Sequence, residues 1–219
     1  MSDVLAQLDP RQRLLEAAEE VFARRGYDGA TVRDICDRAG MNIAAVNYHF
    51  GDKERLYTET VKNAHQCGMA QMTTVEWPAD AEPADKLRGF IHTMARTMHE
   101  PVRPTALQLM MREMSNPSPA GTAVVQEFIR PMAHRLRAIV AELFPHLPAA
   151  THLMIGFSVV GQCLYYRQNR HVSDLLFGAE SMAALDADAV ADHITRFTLA
   201  ALGQAEPYRD THPTGEGGS

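Results

Sequence analysis

Residues 31–50 read TVRDICDRAGMNIAAVNYHF, and the spacing inside this stretch decides the fold. Thr31 followed three positions later by Asp34 is a variant of the reciprocal capping pattern that opens a helix. Ile35, Cys36 and Ala39 then share one face, and Gly40 tolerates the left-handed backbone that ends a helix after about two turns. Gly40-Met41-Asn42 reads as a tight turn into a third short helix, on which Val46 and Phe50 lie one turn apart and anchor it to a core. Two short helices, a glycine-compatible turn and a second helix with free outer faces are what a helix-turn-helix requires. The competing reading is a plain helical hairpin in which Tyr48, Phe50 and Tyr57 are only packing aromatics.

Upstream, Asp9 caps a helix opened by Pro10, with Leu14, Leu15, Ala18, Val21 and Phe22 on one stripe that ends before Gly26. Downstream, Asp52 caps a longer helix to roughly Gln71, with Leu56, Tyr57, Val61 and Ala64 on its inner side, until Trp77, Pro78 and the ADAEPAD stretch break the pattern. Further helices are predicted over 83–99, 102–115, 118–143, 149–169 and 187–203, separated by SNPSP, PHLP and the Gly178 region. Apolar residues recur at three and four positions and no β-branched run alternates, so the predicted class is all-α. The expected division is a three-helix helix-turn-helix domain over 9–56, a helical bundle for ligand binding and dimerisation over 57–203, and a disordered tail over 204–219, rich in Pro, Gly and charge.

A net charge of −6 excludes a protein that coats nucleic acid indiscriminately, and Met1 to Tyr57 carries eight Lys and Arg against ten Asp and Glu. Any DNA binding must therefore be local and geometric. Cys36, Cys67 and Cys163 fall in no metal-ligand or redox spacing, and the start MSDVLAQLDP is unlike a secretory leader, so a cytoplasmic protein is expected. The most apolar run, Leu153 to Leu164, is well short of the ~20 residues of a membrane span. No triad, paired-carboxylate motif or phosphate loop supports an enzyme, and His92, Arg96 and His99 make a poor metal set, so neither metal nor cofactor is expected. A helical enzyme or metal sensor with a purely structural hairpin, and a protein-binding adaptor, are the rival classes.

On the third helix, Ala44 and Ala45 let the backbone approach base edges, while Asn47, and Asn42 at the helix start, offer paired donor and acceptor groups suited to adenine. Two readings of Ile43 stand side by side: a methyl contact to thymine, or a core position three residues before Val46. Tyr48, His49 and Lys53 are placed to donate to phosphates, as are Thr31 and Arg33 where the second helix exposes its backbone N–H groups.

The stretch LLEAAEEVFARRGYDGATVRDICDRAGMNIAAVNYHFGDKERLYTETV resembles the N-terminal domain of the TetR family of regulators, over roughly residues 10–61. Its most specific parts are Phe22 and Gly26-Tyr27, then Thr31 to Ile35, Ala39-Gly40, and Val46 to Phe50 followed by Lys53-Glu54 and Leu56. The resemblance implies groove-facing roles for Asn42, Ala44, Ala45 and Asn47, and backbone-holding roles for Thr31, Tyr48, His49 and Lys53. Residues 83–203 resemble more loosely the regulatory domain of a branch typified by CecR, through MMREMSNPS and GFSVVGQCLYYRQNR. The resemblance implies a ligand-responsive repressor that binds a palindromic double-stranded DNA operator as a homodimer and is released by a small-molecule effector.

The last two long helices would pair with their copies, with Val159, Val160, Ile194, Phe197 and Ala201 at the interface. Leu153 to Leu164 is apolar nearly all round, as a helix between its own core and a partner would be, or as one enclosed within a single subunit. For the effector pocket the candidates are Met94 and Met110, as adaptable apolar contacts, with Arg112, Gln162 and Tyr166 as polar anchors. Core packing for the methionines and helix pairing for Arg112 are the alternatives.

Overall fold

Helix α1, Pro10–Gly29, begins where Asp9 accepts hydrogen bonds from the Arg11 and Gln12 N–H groups at 3.0 and 3.1 Å, with Pro10 already holding a helical φ. In this computed structural model the described residues are 8–69, 72, 76–78 and 80–205. The expected tail at 204–219 lies, from residue 206 on, outside the described residues, as do Ala70 and Gln71, to which the fourth helix was expected to run. After α1 come α2 (Val32–Ala39), α3 (Ile43–His49) and α4 (Lys53–Met69). Then follow α5 (Pro83–His99), α6 (Pro104–Ser115) and α7 (Pro119–Val124), which runs through a π-turn at Val125–Ile129 into α8 (Arg130–Leu143). The chain continues with α9 (Ala149–Gln168), α10 (Arg170–Phe177), α11 (Ala179–Ala183) and α12 (Ala187–Ala201). No strand occurs among the described residues, and the fold is all-α as the periodicity predicts.

These helices gather into two compact units, one drawn from 1–73 and 100–133, the other from 74–99 and 134–219. In the first, α1 packs on α2, α4 and α6, and α4 packs on α6 and α7. Leu14, Leu15, Phe22, Ile35, Val46 and Leu56 are at most 2% exposed in its core. Each of these large side chains contributes about 1.5–3 kcal/mol by leaving water. Tyr57 meets Phe22 edge-on at 4.8 Å and Tyr27 at 5.0 Å.

Polar tethers bind α6 and the turn after it to this core. Glu19, 1% exposed, accepts from Arg103 at 2.7 Å and from Thr105 at 2.6 Å. Burial raises the Glu19 pKa, and Thr105 and Arg103 pull against it. The Tyr57 hydroxyl donates to Glu113, whose other oxygen accepts from the N–H and hydroxyl of Ser118 at 3.0 and 2.7 Å. Burial first, and then the bond to Glu113, lift the Tyr57 phenol above its ordinary range.

The stripe on α1 breaks at Gly26, whose φ of 72° and ψ of 178° are nearly forbidden to a residue with a Cβ. The Arg112 guanidinium lies over it: a Cβ there would sit 2.0 Å from Arg112 Nη1. Arg112, expected in an effector pocket, instead covers this glycine.

The second unit packs α5 against α12 and α9, and α9 against α12. Phe90, Ile91, Met94, Val159 and Ile194 are at most 1% exposed within it. Arg167 donates to the carbonyls of Thr97 and Met98, satisfying the end of α5, and His152 donates to the Phe144 carbonyl at 2.8 Å. His92 meets Asp192 at 3.0 Å and Arg96 meets Asp188 at 2.9 Å, pinning α5 to α12. Cys163 is buried, and its thiol is pushed up to about 12 by desolvation. Two elements depart from the sequence expectation: α10 and α11 occupy 170–183, around Gly178, where no helix was predicted. On α10 the only fully buried residue is Ser173, so its apolar side chains do not follow the inward periodicity that sequence patterns detect.

Gly26→Ala should lower the unfolding free energy by about 1–3 kcal/mol, whereas Gly29→Ala, whose Cβ would meet only Arg25 Cβ at 3.6 Å, should change it by under ~0.5 kcal/mol; urea titrations of the two variants measure the contrast.

His65 on α4 is 6% exposed, lies 5.3 Å from the Phe128 ring, and has no hydrogen-bond partner for Nδ1. Desolvation lowers its pKa from 6.5 to about 4. Its folded value is depressed, so the unfolded chain binds the extra proton between these two values, and stability falls as pH drops from about 6.5 to about 4. His65→Phe should remove a loss of about 3 kcal/mol across that window, seen as a flatter plot of denaturation midpoint against pH.

Candidate nucleic-acid interface

The interface is built from caps outward. At the start of α2, Thr31 Oγ1 accepts from the Asp34 N–H at 3.1 Å, while Asp34 Oδ2 accepts from the Thr31 N–H at 3.0 Å and from its hydroxyl at 2.6 Å. Arg25 stands 2.8 Å from the same carboxylate. The Thr31 hydroxyl foremost, with its N–H and Arg25, holds the Asp34 carboxyl below the usual range. The Thr31 hydroxyl proton, expected for a phosphate, is donated to Asp34 instead.

Gly40 adopts φ 63°, ψ 38° and ends α2, and Met41 N–H bonds Cys36 O at 2.9 Å, so the chain reverses within three residues. Asn42 Oδ1 then accepts from the Ala45 N–H at 3.1 Å and caps α3. This departs from the expectation for Asn42: its oxygen is committed to the helix, and the paired recognition of adenine is not available from it in this conformation.

Seven residues of α3 divide cleanly. Val46 is 0% exposed and Phe50, just beyond the helix, is 6% exposed, and both join the core of α1, α2 and α4. Ala44 and Asn47 are exposed, Ile43 is 46% exposed and Tyr48 is 85% exposed. Ile43 is therefore not a core position. Ala45 is half-buried and packs against the core, so it offers less surface than expected.

Arg33 is exposed at the first turn of α2. His49 is half-buried and meets Tyr48 edge-on at 4.9 Å. Lys53 Nζ sits 4.4 Å from the Tyr27 ring centroid, a cation–π contact that fixes the ammonium at the start of α4. Beside the turn between α3 and α4 lies an open groove of about 550 Å³, lined by Arg11, His49, Phe50 and Arg55 but also by Asp52, Glu54 and Glu59. Its mixed charge makes it no cradle for an anion.

The remaining predicted residues scatter. Val159 and Ile194, expected between subunits, are each 0% exposed and enclosed by their own chain, whereas Val160 is half-buried, Phe197 is 51% exposed and Ala201 is exposed. Met94, 1% exposed, is core packing. Gln162 donates to Ser158 O at 3.2 Å within its own helix, and Tyr166 is half-buried with its ring 5.9 Å from Tyr165 and 6.4 Å from His99. Met110 and Arg112 belong to the first unit, and Met94, Gln162 and Tyr166 to the second. Asp34, read in the sequence as a capping partner, organises the cap beneath the interface, and Glu113 and Ser118, which the sequence did not single out, join Tyr57 in a chain that ties α4 to α6. Only the first carries a sequence signal, the Thr-x-x-Asp spacing.

This geometry defines an all-helical protein whose α2 and α3 form a helix-turn-helix with an open second helix. Residues 14–60 match the family described as bacterial regulatory proteins, tetR family, and residues 83–202 match the C-terminal domain of the HTH-type transcriptional dual regulator CecR. The chain belongs to the TetR family of DNA-binding transcriptional regulators, with a CecR-type C-terminal domain, and is not an enzyme.

Similar proteins include the HTH-type transcriptional repressor AcnR of Corynebacterium glutamicum, 49% identical over 47 residues, which are 22% of this chain and 25% of that one. The HTH-type transcriptional repressor KstR2 of Mycobacterium tuberculosis is 33% identical over 91 residues, 41% of this chain and 45% of that one. The matches thus span between a quarter and a half of these relatives. Among solved structures, the TetR family regulator PfmR of Thermus thermophilus is 25% identical with a TM-score of 0.56, covering 85% of this chain and 95% of that one. A TetR-like transcriptional regulator from Rhodococcus shares the fold at 15% identity, with a TM-score of 0.60 and coverage of 89% and 96%. No helix among the described residues is long and apolar enough to cross a membrane.

Asn42→Ala should destabilise the fold by about 1 kcal/mol through loss of the α3 cap, and weaken DNA binding without altering base preference; chemical denaturation together with binding to a panel of sequence variants separates the two effects.

Proposed function

We propose that this protein is a repressor that binds a palindromic operator in double-stranded DNA as a homodimer, through residues 9–56, with α3 lying in the major groove. The observation that carries this reading is the outer face of α3: a phenol 85% exposed at Tyr48, a branched apolar side chain 46% exposed at Ile43, and exposed Ala44 and Asn47, all on a helix seated by Val46. Folding gains nothing from an aromatic ring in water, and these outward groups are free to meet a surface that arrives later. Asn47 reads a base edge, and Ala44 and Ile43 press methyl groups against thymine. Arg33, Tyr48, His49 and Lys53 hold phosphates and set the register. Such positioning is effective in an acidic protein because it needs a few aligned donors rather than a positive field.

The homodimer reading is supported by the outward residues of α9 and α12, where Val160, Phe197 and Ala201 retain exposed surface. A two-fold pair places its reading helices about one DNA turn apart, roughly 34 Å, and two fixed half-sites demand that distance. A small molecule bound in the helical domain over 57–203 releases the operator by favouring a pair with another spacing. The repressor names of AcnR and KstR2 support the sign of the regulation.

The test is selection of bound fragments from genomic DNA with the full chain, repeated for Asn47→Ala and Lys53→Ala. Asn47→Ala should change the preferred base at one position in each half-site, worth about 1–3 kcal/mol. Lys53→Ala should keep the preference and reduce the slope of log affinity against log salt by about one per subunit. Unchanged profiles for both variants would reject the assignments.

A further inference from the structure

Helix α10, Arg170–Phe177, is inside out. Its only fully buried residue is Ser173, at 4% exposure, while Val172, Leu175, Leu176 and Phe177 are 49%, 74%, 66% and 66% exposed. An eight-residue helix gains little from its own backbone, so its persistence depends on covering one face, and in α10 the apolar face is the uncovered one. Its charged residues do not point to a charged partner: Arg170 pairs with Asp174 on the same helix at 3.2 Å.

The helix that precedes it, separated by Asn169 alone, continues the same pattern. Leu153, Met154, Phe157 and Tyr165 of α9 are 45–69% exposed, opposite buried Ile155, Val159 and Cys163, and Phe197 of the adjoining α12 is 51% exposed. With ~150–250 Å² on each large apolar side chain, the exposed parts of these nine residues come to on the order of 1,000 Å². Summed over three successive helices, that exposure is of the order of the roughly 800 Å² per partner that a stable complex buries.

We infer that α10 is a dimerisation arm: its Val172, Leu175, Leu176 and Phe177 face packs against a second copy of this chain, extending the α9 and α12 contact. This rests on the homodimer reading and adds to it a third helix that neither sequence periodicity nor the expected interface included. A second copy suits the surface because an isologous interface needs one self-complementary apolar patch, and α9, α10 and α12 supply it without an unpaired charge on the arm.

Sedimentation equilibrium of the full chain, wild type beside the double variant Leu176→Ser/Phe177→Ser and beside Phe157→Asp, tests it. A dimeric wild type, a dissociation constant raised at least tenfold in the double variant and unchanged helical circular dichroism are expected. Hydrogen exchange read at residues 170–177 provides the second measurement: protection should fall when the wild type is diluted below its dissociation constant. A dimeric wild type that weakens with Phe157→Asp but not with the double variant, or shows no change at 170–177 on dilution, overturns the arm and leaves the homodimer standing. A wild type monomeric at tens of micromolar overturns both. Flotation of the wild type, but not the double variant, with phosphatidylglycerol vesicles, at equal dimer strength, assigns the face to lipid and also overturns the arm.

Discussion

The seating of α3 on Val46 and Phe50 is the constraint on which the rest of the molecule depends. A helix of seven residues has no stability of its own, since the cost of nucleating its first turn is not recovered in so few hydrogen bonds. It exists because Asn42 closes one end and two apolar side chains enter the core made by α1, α2 and α4. The position of every outward group on α3 is thus a property of that core, and a packing change beneath Val46 is felt at Asn47 one residue away.

The same logic explains the buried polar groups. A glutamate at 1% exposure and a phenol lifted above its ordinary range are costly unless matched, and each is matched by a group on α6 or in the turn that precedes it. Glu19 holds Arg103 and Thr105, and Tyr57 holds Glu113, so the helix-turn-helix and α6 share polar contacts as well as apolar ones. Apolar packing tolerates sliding, whereas these bonds fix one register. The first compact unit therefore takes in α6 and α7 along with the helices of the motif.

Much of this was legible in the sequence, for identifiable reasons. Caps and breakers are local chemistry, so Asp9, Thr31 and Gly40 mark helix ends that the structure keeps. The 83–99 helix appears with the predicted bounds, and Val46 and Phe50 are buried as their one-turn spacing requires. What stayed hidden depends on contacts distant in the chain: Tyr57 and Glu113 are 56 positions apart, and Glu19 and Arg103 are 84 apart. Nor does an evenly apolar helix reveal which side is enclosed, so Val159 and Val160, adjacent in sequence, could not be assigned to core and surface. Asn42 shows another limit, because the composition that suits base recognition also suits a helix cap.

The thiols of Cys36 and Cys163 are both enclosed, and desolvation raises both above the ordinary thiol range. Oxidants and electrophiles attack the thiolate, which neither site stabilises. Reactive oxygen and alkylating metabolites therefore have no chemical handle at either sulfur while the chain is folded, and a signal that reaches this regulator through these two positions would first have to open its core.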